Sequence, residues 1–102
     1  MAEWRHDLHA HPETAFEEQR TAAVVAKKLE SFGIGVHLGL GRTGVVGTLR
    51  AGSGNRAIGL RADMDALHIQ EKNSFGYRSQ HEGKMHACGH DGHTAMLLGA
   101  AK

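Results

Sequence analysis

The sequence predicts an α/β fold in which helices at the two ends flank short strands and a loop rich in metal-binding side chains. Three observations lead to this fold class: an amphipathic pattern over about residues 14–32, glycine-bounded β-type runs between residues 35 and 61, and a helix-forming run from about residue 92 onward. The 102 residues suffice for one small domain with a modest core. We therefore treat residues 1–102 as a single structural unit.

The first helix is predicted over residues 3–10. Trp4 and Leu8 are four residues apart in this segment and share one helical face. Pro12 follows the segment, and the residue before a proline disfavours the helical region. The helix is therefore expected to end before His11.

The second helix, over about residues 14–32, has the strongest pattern. Thr14 is a candidate N-cap and Glu17 stands three residues later, which is the capping-box arrangement. Gly33 occupies the position where a glycine commonly ends a helix. One apolar face is formed at helical spacing by Ala15, Ala22, Val25, Leu29 and Phe32.

Three short strands are predicted after this helix. Residues 35–40 and 44–51 form the first two, and residues 56–61 form the third. The turn-forming cluster at residues 52–55 predicts an antiparallel hairpin between the second and third strands. Residues 70–84 are polar and weakly patterned, so we expect a loop there.

Four metal-capable side chains lie within eight residues: His86, Cys88, His90 and His93. Thiolate and imidazole are the ligands of zinc, cobalt, nickel and related ions. Cys88 and His90 are separated by one glycine, and such a pair leaves open coordination positions for other ligands or water. His86 and His93 are candidates either to ligate or to orient the ligands. The alternative is a histidine-rich surface loop around a buried structural cysteine.

Carboxylates and further histidines supply the other candidate site residues. Asp63 and Asp65 follow the third predicted strand, where they could bind an ion or fix the tautomer of a ligating imidazole. The alternative is a pair of solvated turn residues. Asp91 is a candidate orienting group or the N-cap of the last helix. His9 and His11 are two positions apart and do not face one another on a helix, so a structural or substrate-proximal role is favoured over metal ligation.

Charge and composition exclude several functional classes. Lys and Arg number 12 and Asp and Glu number 11, so the net charge of +1 gives no basic surface for nucleic acid. Apolar runs are too short to span a bilayer, and the charged N-terminus does not resemble a secretory signal. A single cysteine excludes an internal disulfide and fits a reducing compartment, so a cytoplasmic location is expected.

Three segments, residues 4–13, 59–67 and 85–94, together resemble the N-terminal part of a known amidohydrolase family. That family includes hippurate hydrolases, indole-acetyl-amino-acid hydrolases and other N-acyl-amino-acid amidohydrolases. It is related to the aminoacylases and the carboxypeptidase-like dimetal peptidases. The resemblance covers essentially the whole chain, and its third segment is the most specific. It implies that residues 1–102 are part of a zinc-peptidase-like catalytic domain, with a lid or dimerisation domain elsewhere.

The resemblance also implies a chemistry. Cys88 and His90 match ligands of a centre of two divalent ions, described with manganese, zinc, cobalt or nickel. Asp65 matches the residue that orients this centre, whereas the role of Asp63 is left open. The implied substrate is an N-acyl amino acid whose amide bond is hydrolysed by a homodimer or homotetramer.

The chain departs from that family in two respects. The general base of the family is a glutamate of a downstream Glu-Glu pair, and the pair Glu17–Glu18 in the second predicted helix does not correspond to it. His68 stands where the family usually has proline. We therefore expect these 102 residues to be inactive alone. The alternative function is a small non-enzymatic metal-binding or interaction module.

Overall fold

The computed structural model describes all 102 residues and contains three helices and one antiparallel hairpin. The elements in chain order are α1 (Ala2–Ala10), α2 (Gln19–Ser31), β1 (Gly35–Leu40), β2 (Gly44–Thr48) and α3 (His90–Ala101). This arrangement confirms the predicted α/β class, and α1 agrees with the predicted first helix to within one residue. None of the three helices combines the length and the apolar character needed to cross a membrane.

The core lies where α2 packs on the hairpin and on α3. Val25 and Leu29 of α2 meet Ile34, which directly precedes β1, and Leu98 of α3. A Cβ atom at Gly47 would lie 3.1 Å from the side chains of both Leu29 and Ile34. The close approach of β2 to α2 therefore depends on the missing side chain at this position.

Helix α2 begins at Gln19, so the predicted start at Thr14 was wrong. Thr14 and Glu17 do interact, since the Thr14 hydroxyl donates a hydrogen bond to the Glu17 carboxylate at 2.7 Å, but this is not the side-chain-to-backbone bonding of a capping box. It closes a turn that precedes the helix, because Phe16 between them has a φ of 65°, in the left-handed region. A helix cannot run through that conformation.

The N-terminus of α2 is capped by a different carboxylate. Glu13 accepts hydrogen bonds from the backbone N–H groups of Arg20 at 2.9 Å and Thr21 at 2.6 Å, and from the Thr21 hydroxyl at 2.7 Å. These bonds satisfy two backbone donors that a helix leaves free at its first turn. At the other end the predicted glycine termination is confirmed, since Gly33 follows the helix with a φ of 76°.

The hairpin is formed by the first and second predicted strands, so the predicted hairpin of the second and third strands was wrong. The connection is the turn at residues 41–43, and β2 ends at Thr48 instead of continuing to residue 51. Residues 56–61 form no strand and make no backbone–backbone hydrogen bonds. Ile58 and Leu60 in this segment are 86% and 66% exposed.

Two isolated backbone bridges hold the aspartate segment, residues 63–67, and one of them connects it to the histidine-rich run at residues 85–94. Ala66 forms a parallel bridge with Thr14, and Leu67 forms an antiparallel bridge with Met85. These contacts place residues 63–65 beside the start of α3. The chain between the two segments contains no helix or regular strand, as predicted for residues 70–84.

Replacing Glu13 with alanine should lower the free energy of unfolding by about 1–2 kcal/mol, because the first turn of α2 loses its cap. The measurement is urea unfolding of the purified protein. The control is Glu30→Ala, which removes an exposed glutamate from the last turn of the same helix. Equal destabilisation by the two substitutions would contradict a capping role for Glu13.

Candidate metal centre

Cys88 and His90 flank a glycine turn at the head of α3. Gly89 has a φ of 87° and is the N-cap residue, so α3 begins at His90, slightly earlier than predicted. The left-handed conformation of Gly89 lets the chain turn sharply into the helix. Cys88 is a free and exposed thiol. The turn therefore presents a soft sulfur donor and an imidazole at the start of one helix.

The imidazole of His90 is held by Asp65. Its Nδ1 lies 2.9 Å from the Asp65 carboxylate Oδ1 and 3.0 Å from the Asp65 carbonyl oxygen. Nδ1 donates to these acceptors, so Nε2 of the neutral ring carries the free lone pair. This is the arrangement in which ligating histidines are normally held in proteins.

Asp63 contributes to the same edge of the structure without a direct bond to the imidazole. Its Oδ2 lies 4.0 Å from His90 Nε2, and its other carboxylate oxygen pairs with Arg61. The Thr94 hydroxyl of α3 donates to the Asp63 carbonyl oxygen at 3.0 Å. The aspartate segment is therefore attached to α3 through two side chains, His90 and Thr94.

The other two histidines of the run do not complete a ligand cluster. His93 is exposed, and its ring centroid lies 5.6 Å from that of His90. His86 is only 4% exposed, and neither ring nitrogen has a hydrogen-bond partner. Burial lowers the pKa of His86, which favours its neutral form. No group of three or more His, Cys, Asp or Glu side chains is arranged to hold a metal ion.

Asp91 points away from the turn and into the interface between α1 and α3. It lies inside α3, whose N-cap is Gly89, so the possibility that Asp91 is the N-cap was wrong. Its buried carboxylate accepts hydrogen bonds from His9 Nδ1 at 2.9 Å and Arg5 Nε at 3.1 Å. Burial alone raises the pKa of Asp91, but the bond from His9, aided by the Gly92 N–H, lowers it below its usual value.

His9 is the residue whose position the sequence did not reveal. Its second ring nitrogen, Nε2, lies 3.1 Å from Glu71, which also accepts from the Ser79 backbone N–H at 2.5 Å. His11 has a local partner, since its Nδ1 donates to the Asp7 carbonyl oxygen at 2.8 Å. The sequence favoured a structural or substrate-proximal role for His9 but did not predict its partners Asp91 and Glu71.

The fold and the site together indicate an α/β metal-binding protein. Its candidate ligands are a thiol and an imidazole supported by a carboxylate, and both lie at the start of a helix. Comparison with known proteins specifies this class further. Residues 59–102 match peptidase family M20/M25/M40. The chain is 55% identical over 98 residues to a hippurate hydrolase of Campylobacter jejuni, covering 96% of the chain and 26% of that enzyme. It is also 55% identical over 102 residues to an N-acyl-L-amino acid amidohydrolase of Geobacillus stearothermophilus, covering 97% of the chain and 27% of that protein.

A solved structure gives the same result. The YXEP protein of Bacillus subtilis, described as a dinuclear metal binding peptidase from the M20 family, superposes with a TM-score of 0.93 at 40% identity. The match covers 98% of this chain and 28% of that one. Over residues 59–102 the chain is therefore similar to peptidase family M20/M25/M40, and it spans about a quarter of the length of the curated relatives that it matches.

The acid dependence of stability should reflect Glu71. Burial alone raises the pKa of Glu71, but hydrogen bonds from Ser79, Asn73 and His9 lower it below its usual value. A carboxyl group with a lowered pKa in the folded state contributes stability above its unfolded pKa of about 4.3, and this contribution is lost as pH falls through the folded pKa. Glu71→Gln should therefore flatten the decline in stability below about pH 4.3.

The measurement is the urea midpoint as a function of pH for the wild type and Glu71→Gln. The control is Glu82→Gln, which makes the same change at an exposed position of the same loop. A decline as steep in Glu71→Gln as in the control would contradict the prediction.

Proposed function

We propose that the whole protein is a metal-dependent hydrolase that cleaves the amide bond of N-acyl amino acids. The observation that carries this proposal is the contact of Asp65 with His90 Nδ1, which leaves Nε2 free on the turn that bears the Cys88 thiol. The substrate class is supported by the similarity to the hippurate hydrolase and the N-acyl-L-amino acid amidohydrolase.

The donors of this chain fit two ligands of a metal centre. Cys88 Sγ and His90 Nε2 would hold the metal, and this set of thiolate and imidazole suits zinc, cobalt or nickel, whereas manganese would draw more on oxygen ligands. The description of the B. subtilis protein as dinuclear supports a centre of two divalent ions. When bound, such ions polarise the substrate carbonyl and lower the pKa of a coordinated water.

Asp65 has the positioning role in this proposal. By accepting the Nδ1 proton of His90 it fixes the ring tautomer and the direction of Nε2. It also makes the imidazole more electron-rich, which strengthens the imidazole as a donor. Asp63, His86 and His93 lie around the turn and act as support, since none of them joins Cys88 and His90 in a cluster of three metal-binding side chains.

The remaining ligands and the general base are assigned to parts of the protein outside these 102 residues. Glu18 is not that base, because its buried carboxylate accepts a hydrogen bond from Thr43 at 2.5 Å and connects α2 to the hairpin turn. We propose that the chain is one portion of a metallopeptidase-like catalytic domain. The whole protein would also contain a second domain that acts as a lid or in dimerisation. We further propose that it is cytoplasmic and that it assembles as a homodimer or homotetramer.

Removing a ligand tests the assignment. In the full-length protein, Cys88→Ala and His90→Ala should each weaken metal binding by at least ~100-fold, because even the groups that orient ligands are worth about 10–100-fold. Hydrolysis of benzoylglycine should fall with metal content. The measurements are bound metal per chain and release of glycine, with His81→Ala as the control for loss of an exposed histidine. Wild-type metal content and activity in both ligand variants would contradict the assignment.

The isolated 102-residue chain distinguishes the enzyme from a non-enzymatic metal module. It should show no hydrolysis of benzoylglycine and only weak zinc binding, because it supplies two donors. Zinc titration followed by circular dichroism provides the measurement. Stoichiometric binding with a gain of cooperative folding would favour the module. Metal-dependent hydrolysis that disappears in Cys88→Ala would show that these residues suffice for catalysis.

A further inference from the structure

A buried histidine joins three separate segments of the chain. His9 of α1 is 4% exposed, and its two ring nitrogens contact carboxylates on opposite sides. Nδ1 lies 2.9 Å from Asp91 in α3, and Nε2 lies 3.1 Å from Glu71 in the loop that follows the aspartate segment. The side chains of these two acids are 0% and 3% exposed, so water does not compete for either contact.

Each ring nitrogen of His9 faces a carboxylate oxygen, so the imidazole is held from both sides. Arg5 Nε adds a positively charged donor 3.1 Å from the Asp91 carboxylate. Buried charges are tolerated when they are paired in this way and costly when one partner is removed.

The outer end of the bridge is fixed by its own loop. Glu71 accepts hydrogen bonds from the backbone N–H of Ser79 at 2.5 Å and from the side chain of Asn73 at 2.9 Å. The rings of Phe75 and Tyr77, each with its centroid 5.7 Å from that of His9, meet the imidazole in edge-on geometry. The loop therefore holds His9 by hydrogen bonds and by packing.

The inner end of the bridge adjoins the candidate metal ligand. Asp91 directly follows His90, and both residues lie in the first turn of α3, where backbone hydrogen bonds fix their relative orientation. His90 is thus held at two points, its ring by Asp65 and its backbone through Asp91. Without His9, the buried Asp91 carboxylate would have to find other donors, and the turn that carries His90 would shift with it.

We propose that His9 is a positioning residue of the metal centre, which it supports by fixing Asp91 and thereby the backbone of His90. The proposal rests on the proposed function, since it takes His90 as a metal ligand. Under this proposal the loop that contains Glu71 also influences metal affinity, because Glu71 holds the second ring nitrogen of His9.

The test is cobalt(II) binding by the full-length protein, with His9→Gln compared against wild type. The matched control is His11→Gln, which changes the other histidine at the end of α1, whose ring bonds locally to the Asp7 carbonyl oxygen. We expect His9→Gln to weaken cobalt binding by about 10–100-fold and to alter the ligand-field absorption of bound cobalt, as loss of a group behind a ligand does. His11→Gln should keep the wild-type affinity and spectrum.

Thermal unfolding of the metal-free proteins separates positioning from simple stabilisation. If His9→Gln lowers the unfolding temperature but binds cobalt with wild-type affinity and spectrum, the proposal is overturned. If His9→Gln does not fold, Glu71→Gln tests the other end of the bridge. A cobalt affinity below wild type in that variant supports the proposal, and an unchanged affinity overturns it.

Cobalt binding in the wild type and in Cys88→Ala distinguishes a failure of the proposed function from a failure of this inference. Cobalt binding that is absent in wild type, or unchanged in Cys88→Ala, would refute the metal centre and the role of His9 together. Cobalt binding that is lost in Cys88→Ala but unchanged in His9→Gln would refute only the role of His9.

Discussion

The arrangement of this chain depends on one buried carboxylate. An ionised aspartate in the interior is tolerated only when donors and opposite charge surround it, and Asp91 obtains both from α1, through His9 and Arg5. That requirement brings the first and last helices of the chain together and orients the first turn of α3. Because Asp91 directly follows His90, these contacts also connect the backbone of His90 to α1.

Local patterns were sufficient where one segment determines its own structure. The spacing of Trp4 and Leu8 predicted α1, and Gly33 predicted the end of α2, because neither depends on distant residues. The start of α2 was predicted wrongly because two neighbouring residues, Glu13 and Thr14, both carry side-chain oxygens that can cap a helix N-terminus. Thr14 had the sequence signature of a cap, but Glu13 reaches the free N–H groups of the first turn from outside the helix. The third strand was missed for another reason, since a strand requires a neighbour and local pattern does not supply one.

Some residues of the candidate site could likewise be predicted from local sequence, and others could not. Cys88 and His90 could be proposed because soft donors concentrated in a short run signal metal chemistry. Asp63 and Asp65 were candidates from their place after a predicted strand, and the family resemblance singled out Asp65, which the structure brings to 2.9 Å from His90. The pairing of His9 with Glu71 spans 62 positions and depends on how α1 meets a polar loop. No local periodicity encodes such a contact. The donors in one short run and Asp65 could therefore be predicted from sequence, whereas the contacts of His9 with Asp91 and Glu71 emerge only from tertiary packing.

The unpaired segment at residues 56–61 has a consequence for handling the chain in solution. It presents free amide and carbonyl groups together with the exposed apolar side chains of Ile58 and Leu60. Extended backbone with unpaired polar groups can pair with another extended peptide, including the same segment of a second copy. A charged or proline substitution in this segment is therefore expected to reduce association of the 102-residue chain at high concentration.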